Sequence, residues 1–464
     1  MLIDVSRALP IPLPVQVAAA IRTAITDGSL QPGDEVPSTR ELAKLAGISR
    51  GSVVTAYDQL ISEGYLLASQ GSPTRVHPDL PAGKPGTAKS PIFRPQVESA
   101  QKTISLKPSS GHAGGVRPAA WRQAWREAAA EPAITIDAAG QPELRRAIAE
   151  HLRLTRGLTV NESQIIITGG SREGLMLILL TLAWRRGQLR VGVEDPGHPG
   201  LRRIIPTVGH KAVPCTVDEA GVDVHLLPNK LDAVLVTPAF QHPLGASMPA
   251  GRRSELLAWA AKTGTVLIED DFNAELRYRL APQPPLAAVS TAADVFTLGT
   301  FSTLLSRNLS AGYVVTPSSF AEDVRETRKV LGMPVSAVTQ LAVAHLLKNG
   351  HVRRNTKAVR NRLSKRRSII QADLVPVLEA CGAHVSEMAE SNGVDLALTF
   401  VSPGHRDAFV ADLQAAGIEC GRLESLWSGQ EQWHEGIIMS FAHLSDQDFD
   451  TALRALCAKP TSST

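Results

Sequence analysis

From Val17 to Ile25 the apolar residues Val17, Ala20, Ile21, Ala24 and Ile25 recur at helical spacing on one face, closing at Gly28. That periodicity predicts an amphipathic helix. The next stretch, PSTRELAKLAG, opens on Ser38, carries Glu41 three residues later and ends at Gly47. A capped start and a glycine stop delimit a second helix. ISRGSVVTAYDQLISEG then begins a third at Ser49, with Val53, Tyr57, Leu60 and Ile61 predicted to face the core. The tight AGIS turn between these two gives them helix-turn-helix form. After Gly64, YLLAS and TRV flank QGSP and predict a two-stranded wing.

Beyond Val76 the pattern lapses. Residues 77–96, HPDLPAGKPGTAKSPIFRPQ, are rich in Pro, Gly and Ala and cannot bury enough apolar surface to offset chain entropy. From about Ile104, short apolar runs such as QIIITGG, LDAVLVTP, GTVLIEDD and DVFTLGT alternate with helical patterns. Runs of that kind predict a mostly parallel sheet in a large α/β domain. The chain is therefore read as multidomain: a head over 1–76, a flexible linker over 77–103 and a large domain over 104–464. The most hydrophobic run, Leu175 to Trp184, is too short to span a membrane and is expected to be a buried helix.

Composition changes this picture little. At 464 residues, more than one core is expected. A formal charge of +3 with 20% charged residues implies no polyanion partner by itself. Cys215, Cys381, Cys420 and Cys457 are widely separated and make no metal-ligand spacing, which suits a reducing compartment. Met1 to Pro14 carries no charged-then-apolar leader, so the expected location is cytoplasmic.

The distribution of charge is more informative. The head contains Asp27, Asp34, Glu35, Glu41, Asp58 and Glu63, yet Arg40, Lys44 and Arg50 gather at the helix-turn-helix tip beside Ser49 and Ser52. That is where phosphate and groove contacts form in such motifs. The stretch GSLQPGDEVPSTRELAKLAGISRGSVVTAYDQLISEGYL resembles the winged-helix domain of GntR-type bacterial repressors. The resemblance implies that Arg40, Ser49, Arg50 and Ser52 contact double-stranded operator DNA. It also implies that the wing near Gln70 and Gly71 approaches the minor groove, although Pro73 stands where that family usually has glycine.

In the large domain IIITGGSREGL predicts a strand, a Gly pair and a helix starting at Ser171, an N-terminus able to hold a phosphate. VEDPGHPG, TPAFQHPLGASMP, IEDDFNAEL and GTFSTLLSRNLSAGY follow in order. This series resembles fold-type I aminotransferases, and joined to a GntR-type head it resembles the MocR subfamily of transcriptional regulators. In that subfamily the aminotransferase-like domain binds pyridoxal phosphate as a sensor and forms homodimers. By the resemblance, Asp270 matches the acid that pairs with the pyridinium nitrogen, Ser171 and Ser302 are placed for phosphate contacts, and Arg172 belongs to the same cofactor-like pocket. Pro243 and Gly245 keep the family's bend, with His242 just before it.

Other positions depart from the family. Where it has the Schiff-base lysine stands Thr303, and where an arginine grips the phosphate stands Ser310. Phe272 replaces the tyrosine that donates to the ring hydroxyl, and His198 replaces the stacking tyrosine. Near the C-terminus, GIIMSFAHL places Ile438 at the family's carboxylate-binding arginine. A charge-assisted hydrogen bond contributes roughly 1.5–3 kcal/mol, so loss of the phosphate arginine alone predicts a ten- to hundredfold weaker hold, with ~1.4 kcal/mol per factor of ten. Covalent pyridoxal phosphate is not expected, and neither is transamination, which needs the missing amine. Three readings stay open: a pocket for a different small effector or a mere dimerisation scaffold, a noncovalent pyridoxal-phosphate sensor, and an aminotransferase with an accessory head.

HVRRNTKAVRNRLSKRRSII, residues 351–370, is the densest basic run, with Val352, Val359, Leu363 and Ile370 as an apolar stripe. Its cations are read as a solvated face or as an auxiliary DNA track through Arg366 and Arg367. His198, His210, His225 and His242 have no common metal-site spacing, and no metal is expected.

Overall fold

The computed structural model describes residues 5, 11–68, 72–81, 103–108, 115–130, 137–277, 283–385, 395–428 and 436–458. The chain divides into two compact units, Met1–Ser99 and Ala100–Thr464.

In the first unit, α1 (Leu13–Thr26), α2 (Thr39–Ala46) and α3 (Arg50–Ser62) precede β1 (Leu66–Leu67) and β2 (Arg75–Val76), which pair antiparallel as the wing. Ser38 Oγ accepts from the Glu41 N–H at 3.3 Å to start α2, and Gly47 ends it at φ 65°. Ser49 Oγ accepts from the Ser52 N–H at 3.2 Å to start α3. Val17, Ala18, Ile21, Leu42, Val53, Ala56, Leu60 and Leu66 form the core. Ala18 and Ala56 belong to it, whereas Ile61, expected inside, is exposed. Tyr57 carries the helical phase inward instead, and its hydroxyl donates to the Pro37 carbonyl at 2.6 Å, pinning α3 to the approach of α2.

The second unit is built on an eight-stranded sheet. Its order is β4 (Ile165–Thr168), β11 (Gly312–Val315), β10 (Val295–Thr300), β9 (Val266–Asp270), β8 (Ala233–Val236), β5 (Arg190–Asp195), β6 (Lys211–Asp218) and β7 (Gly221–Val222). The run from β10 to β6 is parallel, while β11 runs against both of its neighbours. Helices cover both faces, which is why β4, β8, β9 and β11 are buried at every residue. Alternation sorts the side chains: Ile165 and Ile167 join one core, and Ile166 joins the core behind the sheet. The helix Ser171–Arg186 buries Leu175, Leu177, Ile178, Leu179 and Leu182, as its composition predicts, but its Trp184 points to solvent.

Two glycines set the sheet edge nearest the site. Gly299 lies opposite Tyr313, and a Cβ there would come within 2.1 Å of the ring. At Gly312 a Cβ would meet Gly170 Cα at 2.9 Å, so the glycine lets the start of the helix Ser171–Arg186 sit directly against β11.

A smaller antiparallel sheet joins β12 (Ala383–Val385), β13 (Asp395–Phe400), β16 (Gly436–Ser440) and β15 (Gly421–Arg422), while β3 (Ile104–Ser105) pairs with β14 (Ile418–Glu419). The helix His351–Ile369 leads into this region and buries Val352, Val359 and Leu363, with Ile370 just beyond, as the stripe predicts. The expectation for Arg366 and Arg367 is overturned, since both are 4% exposed. Arg366 donates to the Phe441 and Leu444 carbonyls at 2.7 and 2.9 Å, pairs with Asp446 and lies over Phe449. Arg366 ties the helix to the C-terminal region, and both arginines are too buried to be available to DNA.

Candidate functional site

At the head, three residues separate α2 from α3, and the turn presents one small exposed face. Arg40, Lys44, Ser49 and Arg50 are exposed and Ser52 is half-buried. Ser49 and Ser52 touch through their hydroxyl oxygens at 2.9 Å, and Arg50 Nε donates to Thr39 Oγ1 at 3.4 Å. Two of the head's acids are paired away from the tip, Glu63 with Arg22 and Glu35 with the wing residue Arg75, which leaves Glu41 against the three cations Arg40, Lys44 and Arg50. The tip is therefore locally cationic despite the balanced composition. Gln70 and Gly71 lie outside the described residues.

In the second unit a cavity of about 250 Å³ opens at the ends of β4, β9 and β10. Strand ends of a parallel sheet are the usual place for a ligand crevice. Ser171, Arg172, His198, His242, Asp270, Phe272, Ser302, Thr303 and Ser310 all line it, so the sequence motifs meet in one place. Ile438 does not line it: the cavity-facing residue of that strand is Ser440. His198 and His242 stand 5.5 Å apart by ring centroids, whereas His210 and His225 lie elsewhere, His225 beside Glu255 at 2.8 Å. Asp395, Ser440 and His443 complete the wall from the smaller sheet, and no local motif announces them. The available signal is a lone charge, Asp395, at the head of the apolar run DLALTF.

The electrostatics follow from burial. Asp270 ends β9 and is 5% exposed, and its Oδ1 has no hydrogen-bond partner among the described residues. Burial, aided by Asp271 next door, pushes its ionisation up to about 7, against the pull of the Phe272 N–H. Burial likewise raises Asp395 to about 6, although Ser440 donates to it. His242 is held down to about 3 by burial and then by His198, so the imidazole 3.8 Å from Asp395 is neutral and the pair is no salt bridge at neutral pH. His198 Nδ1 accepts from the Gly200 and Leu201 N–H groups and is spent as a helix cap. Ser302 Oγ shares a hydrogen bond with Thr300 Oγ1 at 2.7 Å. The cavity thus offers an unsatisfied acidic oxygen deep inside and, among the described residues, a single lining arginine, Arg172.

Asp270→Asn is expected to report this environment. A carboxyl raised from 3.8 to about 7 keeps its proton in the folded chain where the unfolded chain has lost it. Its contribution is fully present below about pH 4 and is lost as pH rises through about 7. The asparagine variant should therefore be more stable than the parent by about 1–3 kcal/mol above that range and equal to it at acid pH. Urea midpoints at the two pH extremes check this, and a pH-independent difference would refute it.

Comparison with known proteins supplies the context. Residues 109–456 match the aminotransferase class I and II family, and residues 13–76 match the gntR family of bacterial regulatory proteins. The chain is 40% identical over 445 residues to the HTH-type pyridoxine biosynthesis transcriptional regulator PdxR of Corynebacterium glutamicum, covering 95% of each chain. It is 27% identical over 386 residues to the probable rhizopine catabolism regulatory protein MocR of Rhizobium meliloti, covering 79% of this chain and 78% of that one. In fold it is similar to an archaeal alanine:glyoxylate aminotransferase, with a TM-score of 0.69 at 21% identity over 77% of this chain and 91% of that one.

Proposed function

The chain belongs to the MocR type of GntR-family transcriptional regulators, and from that premise we propose that its aminotransferase-like domain senses a small effector without forming a covalent bond to pyridoxal phosphate. In this reading Arg40, Lys44, Ser49, Arg50 and Ser52 engage double-stranded operator DNA, with Gln70 and Gly71 of the wing beside them. The protein works as a cytoplasmic homodimer whose two heads reach paired half-sites, and it is not an enzyme.

The observation that carries the reading is the chemistry of the cavity wall. The unpartnered oxygen of Asp270 suits a protonated ring nitrogen or amine. Around it, Thr303 has no amine to form an imine, Ser310 has no cation for a phosphate, and Phe272 has no hydroxyl to donate. These residues do not fit a covalently held pyridoxal phosphate.

The test has two parts. The full chain should retain specific chromosomal fragments, and a chain lacking residues 1–99 should not. Incubation with pyridoxal phosphate followed by borohydride reduction should leave every cavity residue unmodified by peptide mass spectrometry. A reduced adduct on a cavity residue, or amino-group transfer from an amino acid, would sink the proposal in favour of an enzyme. The orphaned Asp270 oxygen, together with the long helix starting at Ser171, also favours a second reading, noncovalent pyridoxal phosphate as the effector. A change in operator affinity on adding the cofactor, with nothing reducible, would select it.

A further inference from the structure

A second cavity, of about 550 Å³, lies in the same unit between the end of the helix Pro142–Arg156, the segment after β9 and the helix His351–Ile369. Its volume falls within the ~300–1,000 Å³ that small-molecule sites occupy. Its charge is one-sided. Arg353, Lys357 and Arg360 are spaced four and three residues apart on one helix face and all line it, and none makes a salt bridge among the described residues. Arg156 and Arg277 line it from the other side. Glu275 is the acid on the wall, and its carboxylate is already engaged by His151 Nε2 at 2.7 Å. Arg156 is neutralised by Asp271 through bonds of 2.7 and 3.0 Å.

Arg277 is different. It is 3% exposed, and its Nε, Nη1 and Nη2 have no hydrogen-bond acceptor among the described residues. Burial and then the neighbouring charges of Arg253 and Arg156 disfavour its own. A guanidinium does not escape by losing its proton, because arginine stays charged in proteins. An unpaired buried charge costs several kcal/mol, and folds retain one where an opposite charge arrives to meet it. Planar N–H forks match carboxylate and phosphate oxygens, and the loose cations opposite would hold the outer oxygens of the same group.

We propose that this cavity binds a small oxyanion, a molecule carrying a phosphate or more than one carboxylate, between Arg277 and the Arg353–Lys357–Arg360 face. The occupant is a small molecule because Arg277 is too deeply buried for a phosphate of duplex DNA to reach. The inference does not rest on the effector reading of the first cavity, and variants on the wall of this cavity alone distinguish its binding from anion binding elsewhere.

Titrating the full chain calorimetrically with inorganic pyrophosphate and with citrate, at constant ionic strength in chloride, tests it. Saturable binding is expected for at least one of the two. Lys357→Gln with Arg360→Gln, both on the accessible wall, should weaken it at least about tenfold and leave the melting temperature without ligand unchanged. Arg277→Gln should abolish it, provided circular dichroism shows that the variant folds. Binding equal in the parent and in the Lys357/Arg360 variant overturns the proposal. So does the absence of saturation by either anion, including the case where Arg277 is instead met by an acid from a second copy of the chain, revealed by an oligomer that Arg277→Gln dissociates.

Discussion

Asp271→Asn is expected to lower the stability of the second unit by about 3–5 kcal/mol, the usual consequence of removing one partner from a buried ion pair. Asp271 follows Asp270 directly after β9, and its carboxylate takes both Nε and Nη2 of Arg156, whose Nη1 donates to the Gln283 carbonyl at 2.9 Å. The side chains are 1% and 5% exposed. Burial works against the Arg156 charge, and Asp271 first, with Glu269 and Glu275 behind it, more than offsets it. With the carboxylate gone, Arg156 would remain buried near Arg253 and Arg277 without its bidentate counter-charge, leaving only the weaker pull of Glu269 and Glu275. Urea unfolding of the full chain should show a lower midpoint for the second unit and an unchanged transition for the head. The double variant Arg156→Met with Asp271→Met should recover most of the loss, because neither charge is then left alone. A single-variant loss below about 1 kcal/mol would mean that desolvation already cancels the pair.

The second large effect belongs to the head. Each bidentate base contact contributes about 1–3 kcal/mol of discrimination, so Arg40→Ala with Arg50→Ala should weaken operator binding by about a hundredfold or more. Both side chains are exposed, and neither supports the core built on Val17, Ile21, Val53 and Leu60, so the melting temperature should stay put. Lys44→Ala should instead weaken all sequences alike and reduce the salt slope by about one. Fluorescence anisotropy on one operator fragment at several salt concentrations separates the two behaviours. Binding by the double variant within about threefold of the parent would remove these arginines from the DNA interface.

Much of this was legible because the signals are local. Ser38, Gly47 and Ser49 mark helix ends through their own backbone geometry, and Thr168 to Ser171 mark a strand, a bend and a helix within a few residues. The strand-end residues of the cavity inherit that clarity, since a parallel sheet gathers the ends of its strands. Asp395, Ser440 and His443 were illegible because a second sheet delivers them, and only packing decides which of its residues face the cavity. Ile438 packs in a cluster with Leu423 and Trp427 and is not on the cavity wall, a distinction that again only packing makes. Arg366 was read as solvated because its partners include carbonyl oxygens, which every residue carries and no sequence pattern marks. Arg277 hides likewise, because nothing in the local run AELRYR marks it as buried.

The short contact between Ser49 and Ser52 bears on how such a head can change its target. On the proposed DNA contact, a residue such as Ser49 that holds the start of α3 and also meets the operator answers to two selections at once. Removing the Ser49 cap costs ~0.5–2 kcal/mol of stability whatever it does for recognition. Arg40 and Arg50 carry no such duty, since the contact from Arg50 to Thr39 is long and exposed. Descendants of this protein that acquire new operators should therefore vary first at Arg40 and Arg50, with Ser49 fixed or exchanged only for another capping residue.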